Sequence, residues 1–234
     1  MSDRLQQLAD NLRNVRRNMS EACRRAGRDP ASVRLVAVTK SVTPDVVRDL
    51  ASLGQTDFGE NRVQELLKKS AELSDLAVAW HMIGHLQTNK VKKLLAVCGS
   101  IHSVDSVPLA EEIDRRAARA PLKPEVLLEV NVGREEAKFG LAPEELRDAA
   151  AAVGKLPHLS LVGLMTMAPL VENPEQTRPV FARLRSLADR VREMSLPGVA
   201  MRELSMGMTQ DYAVAIEEGA TLVRIGTALF QDLS

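Results

Sequence analysis

The chain has 234 residues, of which 45% are hydrophobic, and its 31 Lys and Arg residues balance its 31 Asp and Glu residues. This apolar fraction is enough for a packed core and excludes an intrinsically disordered chain. The zero net charge gives no electrostatic reason to expect nucleic acid or an anionic membrane as a partner.

The chain begins with a polar amphipathic stretch that lacks the apolar core of a signal segment. No apolar run approaches the roughly 18 residues that a transmembrane helix needs. The two cysteines, Cys23 and Cys98, are far apart in sequence and form no metal or redox motif. We therefore expect a soluble cytoplasmic protein with reduced thiols.

Residues 3–26 are predicted to form a helix, because apolar residues recur there at steps of three and four, and Gly27 and Pro30 end it. Short apolar runs and helical patterns then alternate along the chain. The predicted strands are residues 34–39, 57–59, 80–83, 101–104, 125–131, 159–165, 202–205 and 222–225. The predicted helices between and after them are residues 44–53, 62–73, 90–97, 107–120, 143–153, 175–194 and 212–218.

Strands that alternate with helices predict a parallel sheet, and eight is the number of strands that closes a barrel. An open doubly wound sheet is the alternative, but no glycine-rich dinucleotide or phosphate-loop motif follows any predicted strand. No linker rich in Gly, Pro or Ser divides the chain. We therefore predict an α/β fold, a (β/α)8 TIM barrel with an extra N-terminal helix, formed by residues 1–234 as one domain.

Lys40 closes an almost wholly apolar run, residues 35–40, and a helix-start signal follows it directly. A continuous run of Val, Ile and Leu is typical of a buried strand, so the amine is expected at the rim of a packed core. A poorly solvated amine tends to be neutral and can attack a carbonyl to form a Schiff base. The alternative is a strand-end lysine that simply extends into water.

The loops after the last two predicted strands carry glycines and hydroxyl groups. In barrels of this kind the functional groups lie at the carboxyl ends of the strands, and a phosphate site usually follows strands seven and eight. Here those positions hold Ser205, Gly207, Gly226 and Thr227. Glycines let backbone N–H groups approach an anion, and the hydroxyls add donors, so we predict phosphate binding at these loops.

A Schiff-base lysine on the first strand and a phosphate site on the last two together suggest pyridoxal 5′-phosphate (PLP) as the ligand. Its pyridine nitrogen would then face the eighth strand, where Arg224 precedes Gly226 by two residues. Because arginine only donates hydrogen bonds, it would hold this nitrogen unprotonated. The ring would then be a weaker electron sink than with an acidic partner.

Long segments of the sequence resemble the PLP homeostasis protein family, from about residue 33 to the C-terminus. They are residues 36–40 (VAVTK), 58–61 (FGEN), 80–90 (WHMIGHLQTNK), 102–106 (HSVDS), 138–141 (KFGL), 163–167 (GLMTM), 204–211 (LSMGMTQD) and 223–227 (VRIGT). The resemblance implies a fold like the alanine racemase N-terminal barrel. It also implies a carrier and regulator of cellular PLP, with no established catalytic reaction.

By position, the resemblance makes Lys40 the aldimine lysine and Arg224 the partner of the pyridine nitrogen. It places Asn61 beside the aldimine, and it assigns the phosphate contacts to Ser205, Gly207, Gly226 and Thr227. One residue departs from the family pattern: Arg62 stands where an aromatic residue is frequent, which leaves the outer pocket undefined.

A PLP-dependent amino-acid racemase of low activity is the alternative function. Racemisation needs bases on both faces of the substrate α-carbon, and the alanine racemases that this chain resembles take a tyrosine from a separate β-domain. Since the chain ends at Ser234, soon after the eighth strand, we expect that domain to be absent. Tyr212 is expected to cap or pack the next helix. We therefore expect a non-catalytic protein.

Further expectations concern other side chains near the strand ends. A metal-dependent enzyme using His81 and His85 is a third hypothesis, but their spacing on a strand and its loop does not match a helical metal motif. Lys90 and Lys138 are candidates for a second, transient PLP site. Four methionines are expected to pack adaptably around a ring: Met165, Met167, Met206 and Met208. We expect a monomer that passes PLP to apo-enzymes.

Overall fold

The computed structural model describes residues 3–121, 123–135 and 139–233. Within these residues parallel strands close into an eight-stranded barrel in chain order, and the last strand pairs with the first. The strands are β1 (Arg34–Val38), β2 (Asp57–Glu60), β3 (Ala79–Met82), β4 (Ser100–Val104), β5 (Glu125–Glu129), β6 (Ser160–Met165), β7 (Val199–Ser205) and β8 (Leu222–Ile225). The predicted TIM barrel is confirmed.

Helices follow the strands on the outside of the barrel, and one precedes them. They are α1 (Asp3–Arg25), α2 (Pro44–Ser52), α3 (Val63–Glu72), α4 (Val91–Leu94), α5 (Val107–Ala117), α6 (Leu146–Val153), α7 (Arg178–Glu193), α8 (Tyr212–Glu217) and α9 (Thr227–Phe230). Short 3₁₀ turns lie at Pro30–Ser32, Thr88–Lys90 and Pro174–Thr177. Within the described residues, none of the helices is long and apolar enough to span a membrane.

The main differences from the predicted elements occur at short or irregular segments. The helix predicted over residues 90–97 shrinks to α4, because a 3₁₀ turn precedes it and turns follow it. The four-residue helix α9 was not predicted, since it is too short to show a helical period. The extra N-terminal helix α1 packs against α9 and the residue that follows it. The Asn11 amide of α1 donates to the backbone oxygens of Leu229 and Gln231 at 3.1 and 3.0 Å.

Alternate residues of the strands face the inside and the outside of the barrel. Leu35 and Ala37 of β1 belong to the large core between sheet and helices. The residue between them, Val36, instead joins a small separate cluster of buried residues inside the barrel, together with Leu127, Val162, Met165 and Leu222. The barrel interior is therefore a packed core rather than a pore.

A buried ion pair fixes the ends of β1 and β2. The Lys69 ammonium of α3 donates to Glu60 Oε1 and to the backbone oxygen of Thr39, both at 2.5 Å. The Thr39 hydroxyl donates to the same carboxylate oxygen at 2.6 Å. The side chains of Lys69 and Glu60 are only 4% and 1% exposed. The pair therefore holds the backbone directly before Lys40 and Asn61.

This pair predicts a large effect on stability. Lys69→Met would leave the Glu60 carboxylate in the core without its cation, so we expect the free energy of unfolding to fall by about 3–5 kcal/mol. Urea unfolding followed by circular dichroism measures it. Lys68→Met is the matched control, because Lys68 is the exposed neighbour and its loss should cost less than about 0.5 kcal/mol. Equal unfolding midpoints for Lys69→Met and wild type would contradict the stabilising role of the pair.

Candidate functional site

A cavity of about 340 Å³ opens at the carboxyl ends of the strands, a volume typical of small-molecule sites. Its lining includes five of the predicted site residues: Lys40, Asn61, Arg224, Gly226 and Thr227. Three larger depressions lie on the outer helices. One of about 470 Å³ is lined mainly by α1, one of about 510 Å³ by α4, α5 and the segments that follow them, and one of about 400 Å³ mainly by α6 and α7. Among these cavities of the described residues, the one at the strand ends combines a lysine amine with the glycine and hydroxyl groups of the last loop.

Barrel closure brings the two ends of the chain together at this cavity. In the parallel pairing of β1 with β8, Ala37 lies opposite Ile225. Gly226 therefore passes close to β1, and a Cβ atom at this position would lie 3.2 Å from the backbone oxygen of Val38. This pairing places Lys40 and Thr227 in the same cavity wall.

Lys40 differs from the expectation in one respect. The strand β1 ends at Val38, and residues 40 and 41 form a turn, so the Lys40 side chain is exposed rather than enclosed by the core. The expected poor solvation of its amine is wrong for this structure. Its exposed amine is instead open to a ligand that enters from solvent.

Ser205 and Gly207 are not among the residues that line the cavity. Ser205 is fully buried at the end of β7. Gly207 has a φ of 91°, and a Cβ atom there would lie 2.5 Å from the Cβ atom of Ala215 and 2.9 Å from the Cα atom of Tyr212. Gly207 is therefore required for the path of the loop between β7 and α8, and Ser205 supports the cavity from behind through Arg224.

Arg224 is a buried cation in the cavity wall. Its guanidinium donates to the Ser205 hydroxyl at 2.6 Å and to the backbone oxygen of Thr166 at 2.9 Å. Burial lowers the pKa of Arg224 to about 10, against the opposing effect of the acidic Glu129 and Asp211. The group therefore stays charged at neutral pH. Burial also raises the pKa of Glu129 to about 7, so this carboxyl is only partly ionised there.

A chain of hydrogen bonds runs from Arg224 through the barrel interior. The Ser205 hydroxyl lies 2.8 Å from His102 Nδ1, and His102 Nε2 lies 3.0 Å from His81 Nδ1. His81 Nε2 lies 3.0 Å from Asp57 Oδ1, at the start of β2. This series of hydrogen bonds therefore joins the cavity wall to the opposite end of the barrel.

With both imidazoles neutral, one direction of donation satisfies every member of this chain of hydrogen bonds. Arg224 can only donate and an ionised Asp57 can only accept, so Ser205 then donates to His102, His102 to His81, and His81 to Asp57. Burial, followed by the neighbouring His81 and Arg224, holds the pKa of His102 well below its ordinary value. For Asp57, burial acts to raise the pKa, but hydrogen bonds from His81 and Thr56 outweigh it and lower the pKa.

The two histidines proposed for a metal do not converge. Both ring nitrogens of His81 are used inside the barrel, whereas His85 Nδ1 lies 3.1 Å from Asp105 Oδ2 and its ring stacks on Phe139. In the described part of the chain, no group of three or more His, Cys, Asp and Glu side chains is placed to hold a metal ion. Cys23 and Cys98 are both free and buried.

The remaining predicted residues fall in different places. Lys90 is half-buried in a 3₁₀ turn and does not line the cavity, and Lys138 lies outside the described residues. Tyr212 packs at the start of α8 as predicted, and its hydroxyl accepts a hydrogen bond from Asn18 of α1 at 3.2 Å. Of the four methionines, Met167 and Met208 line the cavity. Met165 and Met206 are fully buried.

Sequence reasoning missed three contributors to the site. His102 could have been found as a polar residue that interrupts an apolar strand. Thr166 contributes only a backbone oxygen, which no side-chain pattern reveals. Gln210 lines the cavity, but its position depends on the path of a loop.

Comparison with known proteins supports the assignment of the fold and of the family. The family model of the alanine racemase N-terminal domain matches residues 10–234. A PLP homeostasis protein of Aquifex aeolicus is 48% identical over 224 residues, which cover 95% of this chain and 97% of the relative.

Solved structures support the same assignment of fold and family. An unknown protein from Bifidobacterium adolescentis has a TM-score of 0.93 and 38% identity, covering 98% of this chain and 97% of the other. PipY of Synechococcus elongatus, solved with PLP bound, has a TM-score of 0.84 and 37% identity, covering 95% and 99%. The chain belongs to the alanine racemase N-terminal domain family and, within it, to the PLP homeostasis proteins.

Proposed function

We propose that this protein binds PLP, holds it as a Schiff base on Lys40, and acts in intracellular PLP homeostasis. The observation that carries this proposal is the convergence of an exposed lysine amine, a buried arginine and the glycine and hydroxyl groups of the last loop in one cavity. The PLP bound to PipY and the names of the curated relatives support it.

The residues present fit such a ligand. Among the described residues that line the cavity, two side chains are cationic and none is a carboxylate, which favours an anion such as a phosphate ester. Gly226 adds a backbone that a Cβ atom would crowd. PLP supplies an aldehyde that an amine can capture, together with the phosphate and the pyridine ring that the protein recognises.

Each residue then has a distinct task. The Lys40 amine would hold PLP through its aldehyde carbon, with water as the leaving group, and Asn61 lies at the same rim of the cavity. Gly226 and Thr227 would hold the phosphate, and Ser205 and Gly207 would support this region from behind the cavity wall. Arg224 would donate to the pyridine nitrogen and leave it unprotonated, because its own proton is not released at neutral pH.

The same geometry favours a carrier over a racemase. The hydroxyl of Tyr212 bonds to Asn18 of α1, away from the cavity. The described lining contains no Tyr, His, Cys, Asp or Glu side chain that would serve as a second base opposite Lys40. The curated relatives are named for homeostasis rather than for a reaction. We further propose a single domain over residues 1–234 that works in the cytoplasm as a monomer and delivers PLP to apo-enzymes.

Borohydride trapping tests the covalent link between Lys40 and PLP. Protein incubated with PLP is expected to show a yellow absorption band, and borohydride should then fix the cofactor to Lys40. Lys40→Ala should lose both the band and the trapped cofactor, because Lys40 is the one lysine among the described lining residues. Lys90→Ala, the control, should keep both. A colourless wild type would contradict the proposed function, and trapped cofactor on Lys40→Ala would assign it to another lysine, such as Lys90 or Lys138.

Exchange of the substrate α-hydrogen with solvent separates a carrier from a racemase. The PLP-loaded protein is incubated in heavy water with L-alanine or L-serine, and the amino acid is analysed by NMR. Because the described lining offers no second base and Arg224 would leave the ring a weak electron sink, we expect no deuterium at the α-carbon above a Lys40→Ala control. Incorporation by wild type alone, with appearance of the D-isomer, would identify a racemase.

A further inference from the structure

Gln210 lines the cavity, and its side chain carries a buried hydrogen-bond donor that has no partner. Among the described residues, the buried side-chain atoms without a hydrogen-bond partner are Glu60 Oε2, Gln210 Nε2 and Asp211 Oδ2. Of these three residues only Gln210 lines the cavity. A buried donor without a partner costs about 1–3 kcal/mol, so this amide is expected to find an acceptor when the cavity is filled.

The loop that carries Gln210 has little conformational freedom. The Met208 N–H donates to Asp211 Oδ1 at 2.6 Å, and the Asp211 and Tyr212 N–H groups donate to the Met208 oxygen at 3.1 and 2.8 Å. The positive φ of Gly207 and its close packing against Ala215 fix the start of the loop. The loop therefore presents Gln210 to the cavity in the absence of any ligand.

The cavity lining that contains Gln210 favours an anionic acceptor. It also contains Thr209 and Thr227, which offer hydroxyls, and the cation Arg224. The carboxylate of Asp211 is engaged behind the loop with the Met208 N–H and does not line the cavity. A phosphate oxygen is the part of PLP that accepts several such donors at once.

We propose that Gln210 donates to the phosphate of bound PLP and makes the site select phosphorylated over unphosphorylated pyridoxal. This inference rests on the proposed function and deepens it. Gln210 is a binding and specificity residue for the phosphate, separate from the covalent link that Lys40 makes with the aldehyde.

The test compares PLP with pyridoxal, which has the same aldehyde and ring but no phosphate. Dissociation constants of both are measured spectroscopically for wild type and for Gln210→Ala, Gln210→Met and Gln210→Glu. We expect the Ala and Met variants to bind PLP about 10-fold more weakly, the effect of losing one hydrogen bond to a charged group. Gln210→Glu should weaken it about 100-fold by repelling the phosphate. Binding of pyridoxal should not change in any variant.

Controls separate the role of Gln210 from the proposed binding of PLP itself. Gln176→Glu adds the same charge at an exposed position and should leave both affinities unchanged. The isosteric Gln210→Met serves if the smaller alanine perturbs the loop, which thermal unfolding detects. Equal weakening of PLP and pyridoxal, or no weakening of PLP, would overturn the role of Gln210 while the proposed function stands. A wild type that binds neither compound would overturn both.

Discussion

The pairing of the first strand with the last is the constraint on which the rest of the structure depends. It joins residues 34–37 to residues 222–225 and so brings the two ends of the chain to one edge of the barrel. Without this closure Lys40 and Thr227 would belong to distant segments. The helix α1 packs over the residues that follow β8, because the Asn11 side chain bonds to the backbone oxygens of Leu229 and Gln231. Arg28, which follows α1, donates to the Ile216 oxygen of α8 at 2.6 Å. Fold closure and site assembly are therefore one event.

Two buried polar systems hold the end of β1 and the cavity wall in place. Charges inside a protein are tolerated only when they are paired and hydrogen-bonded. Lys69 meets this requirement with Glu60 beneath the ends of β1 and β2. Arg224 meets it through Ser205 and a chain that ends on the carboxylate of Asp57. The protein thus places a fixed cation beside the cavity before any ligand binds, which lowers the cost of reorganisation on binding.

The sequence was sufficient for the barrel and for the position of Lys40, because apolar runs of strand length alternate with helical periods and strand ends share one rim. The pattern of glycine and hydroxyl residues also indicated that the loop after β8, with Gly226 and Thr227, would line the cavity. It could not show that Ser205 is turned inward to Arg224 and His102, since this depends on which face of β7 the hydroxyl occupies at the end of an irregular strand. Nor could it show the exposure of Lys40, which follows from the turn after Val38.

A crystal structure of the protein grown with PLP would show directly how the cavity holds this ligand. We expect continuous density between the Lys40 amine and the cofactor, the phosphate at Gly226 and Thr227, and the pyridine nitrogen facing Arg224. Cofactor bound to a different lysine, or a phosphate placed away from the seam between β1 and β8, would contradict this arrangement.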